Sequence, residues 1–126
     1  MTRLILAVAA GGALGSVLRL LTGQWVVAQF PRQFYLGTFT VNILGCLLIG
    51  LLSALFLVRS DLPIELRSGL IVGVLGGFTT FSSFSLELFK LFEGGRIGEA
   101  LAYLLCSVLG GVLAVWAGFV LARIWQ

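Results

Sequence analysis

Gly73-Val74-Leu75-Gly76-Gly77-Phe78-Thr79-Thr80-Phe81-Ser82-Ser83-Phe84-Ser85 combines features that seldom share one segment. It lies inside an uncharged run, Ser68 to Leu86, that is apolar enough for a bilayer and, as a helix, close to the ~30 Å needed to cross its hydrocarbon core. Adjacent glycines followed by paired threonines weaken a helix, and here they fall at mid-membrane depth. Irregular backbone is tolerated at that depth only where protein or water surrounds it, and the carbonyls it frees often hold a cation. The pattern therefore points to a break within residues 76–80. A continuous helix whose glycines line a packing face is the alternative, because small residues also let helices approach closely in lipid.

Outward from this stretch the charges punctuate the chain. Leu4 to Phe30 holds one charge, Arg19, while Gln33 to Val58 and Ala100 to Ala122 hold none. Pro31-Arg32, then Arg59 through Arg67, then Lys90 through Glu99 with Gly94-Gly95 inside it, read as loops. The composition agrees: 60% of the chain is hydrophobic and 10% charged, with mean hydropathy +1.13. Soluble domains carry about 25% charged residues, so lipid is the solvent here. The 126 residues make one all-α domain of four transmembrane helices, at about 4–29, 35–58, 66–90 with the break at 76–80, and 98–123. Nothing remains for a soluble domain.

Several features exclude other classes. Arg3 followed by an apolar run and Ala7-Val8-Ala9 has the look of a secretory signal. Cleavage there would leave too short an apolar core, and the run continues far beyond it, so the first span is expected to be retained. Cys46 and Cys106 lie in different spans, and the chain has no histidine, so neither a metal nor a redox motif forms. The net charge of +3 reflects loop residues and includes no basic cluster of the kind that binds nucleic acid. With four spans the termini share a side, which holds Arg3, Arg59, Arg67 and Arg123 against Arg32, Lys90 and Arg96 on the other. A difference of one Lys or Arg instructs topology weakly. Insertion in both orientations and a single orientation with the termini inside are both compatible with it.

Within the spans, Gly11 and Gly15 are four apart, and Gly110, Ala114, Gly118 and Ala122 form a ladder of small residues for close helix packing. Phe81 and Phe84 share a helical face with Ser82, Ser83 and Ser85 around them. That pair serves either a core or an anion, since ring edges carry partial positive charge and serine hydroxyls can donate. The amide of Asn42 is expensive in lipid and must find a partner or a cavity. Tyr103 and Ser107, four apart, form a short polar track on the fourth span. Arg19 has no carboxylate in any span centre to neutralise it, so it reaches either a buried partner, an aqueous vestibule or a headgroup.

Taken together, Gly11, Gly12, Gly15 and Arg19 in the first span, Gly37-Thr38 and Val41-Asn42 in the second, and Gly76-Gly77-Phe78-Thr79-Thr80-Phe81-Ser82-Ser83-Phe84-Ser85-Leu86-Glu87 in the third resemble the CrcB/Fluc family of fluoride channels over the whole chain. The resemblance implies a dual-topology, antiparallel homodimer that encloses two fluoride pores and passively exports fluoride that has ionised in the cytoplasm. It implies one central structural sodium held by the backbone carbonyls of Gly76 and Thr79 from both subunits. Asn42, Phe81, Phe84 and Ser83 would line the fluoride path, Tyr103 and Ser107 its polar track, and Glu87 a pore mouth. Gly111 departs from the family, which often carries a further hydroxyl there. The resemblance also implies the cytoplasmic membrane of a prokaryote.

Two other functions fit the span count. A small multidrug exporter can share this size and dual topology, but it depends on an acidic residue in its first span, and none is present here. A noncatalytic assembly subunit would explain the small-residue ladders but not Asn42 beside a hydroxyl-rich break. An enzyme would need a nucleophile, base or metal constellation that this chain does not assemble.

Overall fold

A computed structural model describes the chain from Met1 to Gln126 and resolves four helical crossings. The first is α1, Thr2–Gln29, and the second is α2, Leu36–Val58. The third, Ile64–Glu93, is composite. It contains α3 (Ile64–Ser68), a π-helical stretch (Gly69–Leu75), α4 (Gly76–Phe78) and α5 (Phe81–Glu93), with Thr79 and Thr80 between the last two. The fourth is α6, Ile97–Ile124. The chain is an all-α membrane protein with a broken third crossing.

The crossings end where local chemistry requires it. Pro63, at φ −56° and ψ 144°, starts the third crossing two residues before the expected Leu66. The crossing runs on to Glu93, where Gly95 takes φ +72°. Gly95 N–H then donates to the Phe92 carbonyl at 3.0 Å and Arg96 N–H to the Leu91 carbonyl at 2.8 Å. This paired arrangement satisfies carbonyls that the helix end would orphan, and it depends on a glycine in the left-handed region.

Helices meet along glycine seams. α1 packs on the third crossing and α2 on α6. A Cβ added to Gly11 would collide with the Gly69 carbonyl oxygen, and one on Gly15 with that of Val74. On Gly77 it would stand 2.6 Å from the Gly12 carbonyl oxygen. The other seam is built the same way, with Gly50 against the backbone of Val115 and Gly118 against that of Leu47. Only 18 of 126 residues are buried, so little of this chain's stability comes from hiding side chains from its surroundings. Close backbone contact carries the association instead, as lipid requires.

The seam also explains where the break falls. Gly76 and Gly77 remain helical, because Gly77 is pressed against α1; the backbone leaves the helix two residues later, at Thr79. Gly77→Val should therefore disrupt the α1 seam and cost roughly 1–3 kcal/mol. Gly98→Ala, where nothing lies within 4 Å of the new methyl, should be neutral. Thermal unfolding in detergent, followed by the loss of monodisperse protein, compares the two.

Candidate functional site

The backbone at the break is extended, with Thr79 at φ −90°, ψ 159° and Thr80 at φ −153°, ψ 125°. Thr79 N–H still reaches the Leu75 carbonyl at 2.9 Å. The next amide does not continue the ladder. Thr80 N–H donates to Asn42 Oδ1 at 2.8 Å, and Asn42 Nδ2 donates to the Thr80 carbonyl at 2.9 Å. One side-chain amide thus pairs with both backbone groups of one residue, as a neighbouring strand would. The helix restarts because the Thr80 hydroxyl oxygen accepts from Ser83 N–H at 3.2 Å, an N-cap. Arg19 Nη1 donates to the Thr79 carbonyl at 3.3 Å.

Two cavities meet at this break, and Thr80 lines both. A wide cleft of about 800 Å³ runs along α1 and the start of α2, past Gln24, Arg19 and Thr38 to Thr80 and Ser83. A narrower groove of about 380 Å³ lies on the other side, lined among others by Asn42, Thr79, Phe81, Phe84 and Ser107. Arg19 forms no ion pair, the pairs in the chain being Arg59–Asp61 and Arg96–Glu99. In the groove, the Ser107 hydroxyl is buried without a hydrogen-bond partner.

Aromatic rings and one carboxylate stand beside these cavities. Phe81 and Phe84 have centroids 5.8 Å apart, and Phe84 meets Tyr103 edge to face at 5.0 Å. Phe84 and Tyr103 are buried, whereas Phe81 is 79% exposed on the outer face of the chain. Glu87 accepts from the Thr38 hydroxyl and the Tyr103 hydroxyl, each at 2.7 Å. Toward the loops, Tyr35 stacks on Tyr103 and donates to Glu99 at 2.8 Å. Burial, and after it the Glu99 hydrogen bond, pushes the Tyr35 phenol above its ordinary range, so it stays a donor.

Sequence comparison assigns this arrangement a family. Residues 6–119 match the CrcB-like protein family, described as Camphor Resistance (CrcB). The chain belongs to the CrcB family. Similar curated CrcB relatives include a fluoride-specific ion channel FluC of Pseudomonas fluorescens strain Pf-5, 58% identical over 98% of this chain and 100% of its own length. Another of that name, from Stutzerimonas stutzeri strain A1501, is 56% identical over the same shares. A third, from Azotobacter vinelandii strain DJ, is 56% identical over 94% of this chain and 96% of its own.

The CrcB chain brings Asn42, Phe81, Phe84 and Ser107 to one groove, together with Gly76 and Thr79. Arg19 and Ser83 line the cleft instead. The Tyr103 hydroxyl donates to Glu87, while Ser107 lines the groove. Cys46 and Cys106 are free thiols. Sequence reasoning gave Thr80 a part in the break but no capping role, although a threonine directly before a helical run is a readable N-cap signal. It also assigned no contact to Thr38 or Tyr35, whose partners Glu87 and Glu99 are remote in sequence.

The Asn42–Thr80 pairing generates a direct test. Asn42→Ala would strand a backbone N–H and C=O near mid-membrane and should destabilise the fold by about 1–3 kcal/mol. Asn42→Asp should be worse, since a carboxylate oxygen would face the Thr80 carbonyl where an N–H now donates. Denaturant-induced unfolding in mixed micelles ranks the variants, and wild-type stability in both would remove the pairing from the fold's support.

Proposed function

We propose that this chain is a fluoride channel that works as an antiparallel homodimer with two pores and one central sodium ion. The observation that carries the reading is the break itself: extended backbone near mid-membrane, capped by Asn42, where two cavities meet. The relatives are named fluoride-specific ion channels, which supports the choice of ion and of a channel over an enzyme.

Fluoride is small and strongly hydrated, so a pore must replace its water with hydrogen-bond donors and ring edges, while narrowness rejects larger chloride. The donors are at hand. Asn42 Nδ2 uses one N–H on Thr80 and keeps a second. Ser83 Oγ accepts from the Thr80 hydroxyl, which leaves the Ser83 proton free. The Ser107 hydroxyl has no partner within the chain. Phe81 and Phe84 supply ring edges beside the groove, Arg19 draws anions into the cleft, and Glu87 with Tyr103 flanks it. Gly111 brings no hydroxyl to the far end; a Cβ there would sit 3.3 Å from Cys46 Sγ, so the thiol packs in its place.

A second copy suits the groove. Gly76 and Phe81 are exposed, and the Gly76 carbonyl has lost its usual helical donor, Thr80 N–H, to Asn42. Freed backbone of this kind cannot face lipid. A second subunit crossing at the break would cover it, and the near balance of loop charges allows that subunit to be inverted. The donor set also fits sodium: carbonyl oxygens are hard ligands, and the Thr79 carbonyl keeps a lone pair beside its long contact with Arg19. Gly76 and Thr79 of each subunit would hold the ion, which would tie the crossing together. In the cytoplasmic membrane of a bacterium such a channel would export fluoride passively; that the relatives are bacterial supports this setting.

Purified protein in liposomes should release fluoride, with chloride release at least tenfold slower, when followed by ion-selective electrodes. Liposomes that retain fluoride at wild-type protein densities would sink the channel reading. Thr79→Ala should conduct better than Gly76→Val, because alanine keeps the Thr79 carbonyl while valine crowds the crossing. The opposite ranking would argue against carbonyl ligation.

Topology can be checked separately. A reporter fused after Gln126 should appear on both sides of the membrane, and two lysines added to the loop at Arg32 should drive it to one side and lower fluoride efflux. Reporter signal confined to one side in the unmodified chain would exclude an antiparallel dimer.

A further inference from the structure

Glu99, in the first turn of α6, gathers three hydrogen bonds onto one carboxylate. Arg96 Nε donates to Oε1 at 2.9 Å, Arg96 Nη2 to Oε2 at 2.6 Å, and the Tyr35 hydroxyl to Oε2 at 2.8 Å. Arg96 also stands over the Phe34 ring, 5.9 Å from its centroid. The loop before α2 and the loop before α6 are thereby joined by one acid. Tyr35 passes the constraint inward: its ring stacks on Tyr103 at 4.9 Å with planes 30° apart. Tyr103, only 3% exposed, is held on another side by Phe84 and donates to Glu87 at 2.7 Å.

We infer that Tyr35, Arg96 and Glu99 are positioning residues, a latch at one membrane face that sets the orientation of Tyr103 and, through it, of the Glu87 carboxylate. The side chains of Arg96 and Glu99 are 37% and 43% exposed, and exposed ion pairs contribute little to stability because water screens them. What a guanidinium fork on a carboxylate does supply is fixed geometry. The latch spends that geometry on Tyr35, whose hydroxyl is tied to Glu99 while its ring lies stacked on Tyr103. This inference deepens the channel reading and rests on it for its functional consequence.

The test has two arms. The chain contains two tyrosines, so protein labelled with carbon-13 at tyrosine Cζ gives two signals; Tyr35→Phe, which itself cuts the latch, serves only to assign that of Tyr103, and the other variants are read with Tyr35 in place. Glu87→Gln then sets the direction in which the Tyr103 signal moves when its hydroxyl loses the carboxylate. Glu99→Ala should move it the same way and Glu99→Gln by a smaller amount. An unmoved Tyr103 signal overturns the latch whatever the protein conducts. The second arm is fluoride efflux, which Glu99→Ala should lower about three- to tenfold in a wild-type background but less than about twofold when added to Tyr103→Phe, where the hydroxyl is already gone. Losses that multiply in the double variant place the action of Glu99 elsewhere and overturn the inference. If the wild type carries no fluoride, the channel reading fails, and the Tyr103 signal still decides the latch.

Discussion

A bilayer interior offers no water to an unpaired peptide group, so every departure from a helix there needs a partner built from protein. The amide of Asn42 is that partner. It takes the N–H of Thr80 that would have continued the helix and gives back a donor to the carbonyl of the same residue. Remove this exchange and the third crossing would either close into a continuous helix, and lose the exposed break, or leave polar backbone in hydrocarbon. The N-cap at Thr80, the restart at Phe81 and the direction of Ser83 into the cleft all follow from it.

The glycine seams make the exchange possible by fixing distance. Asn42 sits on α2 and Thr80 on the third crossing, so their hydrogen bonds require the two backbones to be close. Gly45, one turn along α2, supplies that clearance, since a Cβ there would run into the Thr79 methyl. On the other side of the third crossing, Gly11 and Gly15 let α1 press against the π-helical stretch and α4. The extra width of a π-helical stretch accommodates this contact just before the break. The broken segment is thus gripped from both sides.

Much of the fold was legible in the sequence because charge is excluded from lipid: the loops announce themselves and the spans lie between them. The neighbourhood of the break was legible too, through Gly76-Gly77 and Thr79-Thr80. Its exact residues within that window were not, because they depend on the seam at Gly77 and on Asn42, 38 positions from Thr80. The i, i+3 spacing of Phe81 and Phe84 did bring their rings together, yet it could not tell that one would be buried and the other left on the outer face. Helical spacing placed Tyr103 and Ser107 on one side of α6, but it could not tell that the tyrosine hydroxyl would pair with Glu87 of α5 while Ser107 lines the groove. The Tyr35–Glu99 contact spans 64 positions and joins the N-terminal ends of α2 and α6, which no periodicity within either helix relates.

The cleft has an electrical meaning beyond its chemistry. It reaches from residues near the end of α1 and the start of α2, Ala28 and Gly37, down to Thr80, and water filling it would carry the potential of one membrane face inward to the break. The voltage across the membrane then falls mainly over the remaining layer instead of uniformly through it. A unit charge crossing the full drop exchanges about 2.3 kcal/mol per 100 mV. Concentrated over a shorter path, that becomes a steeper local force on any charge that reaches the Asn42–Thr80 wall.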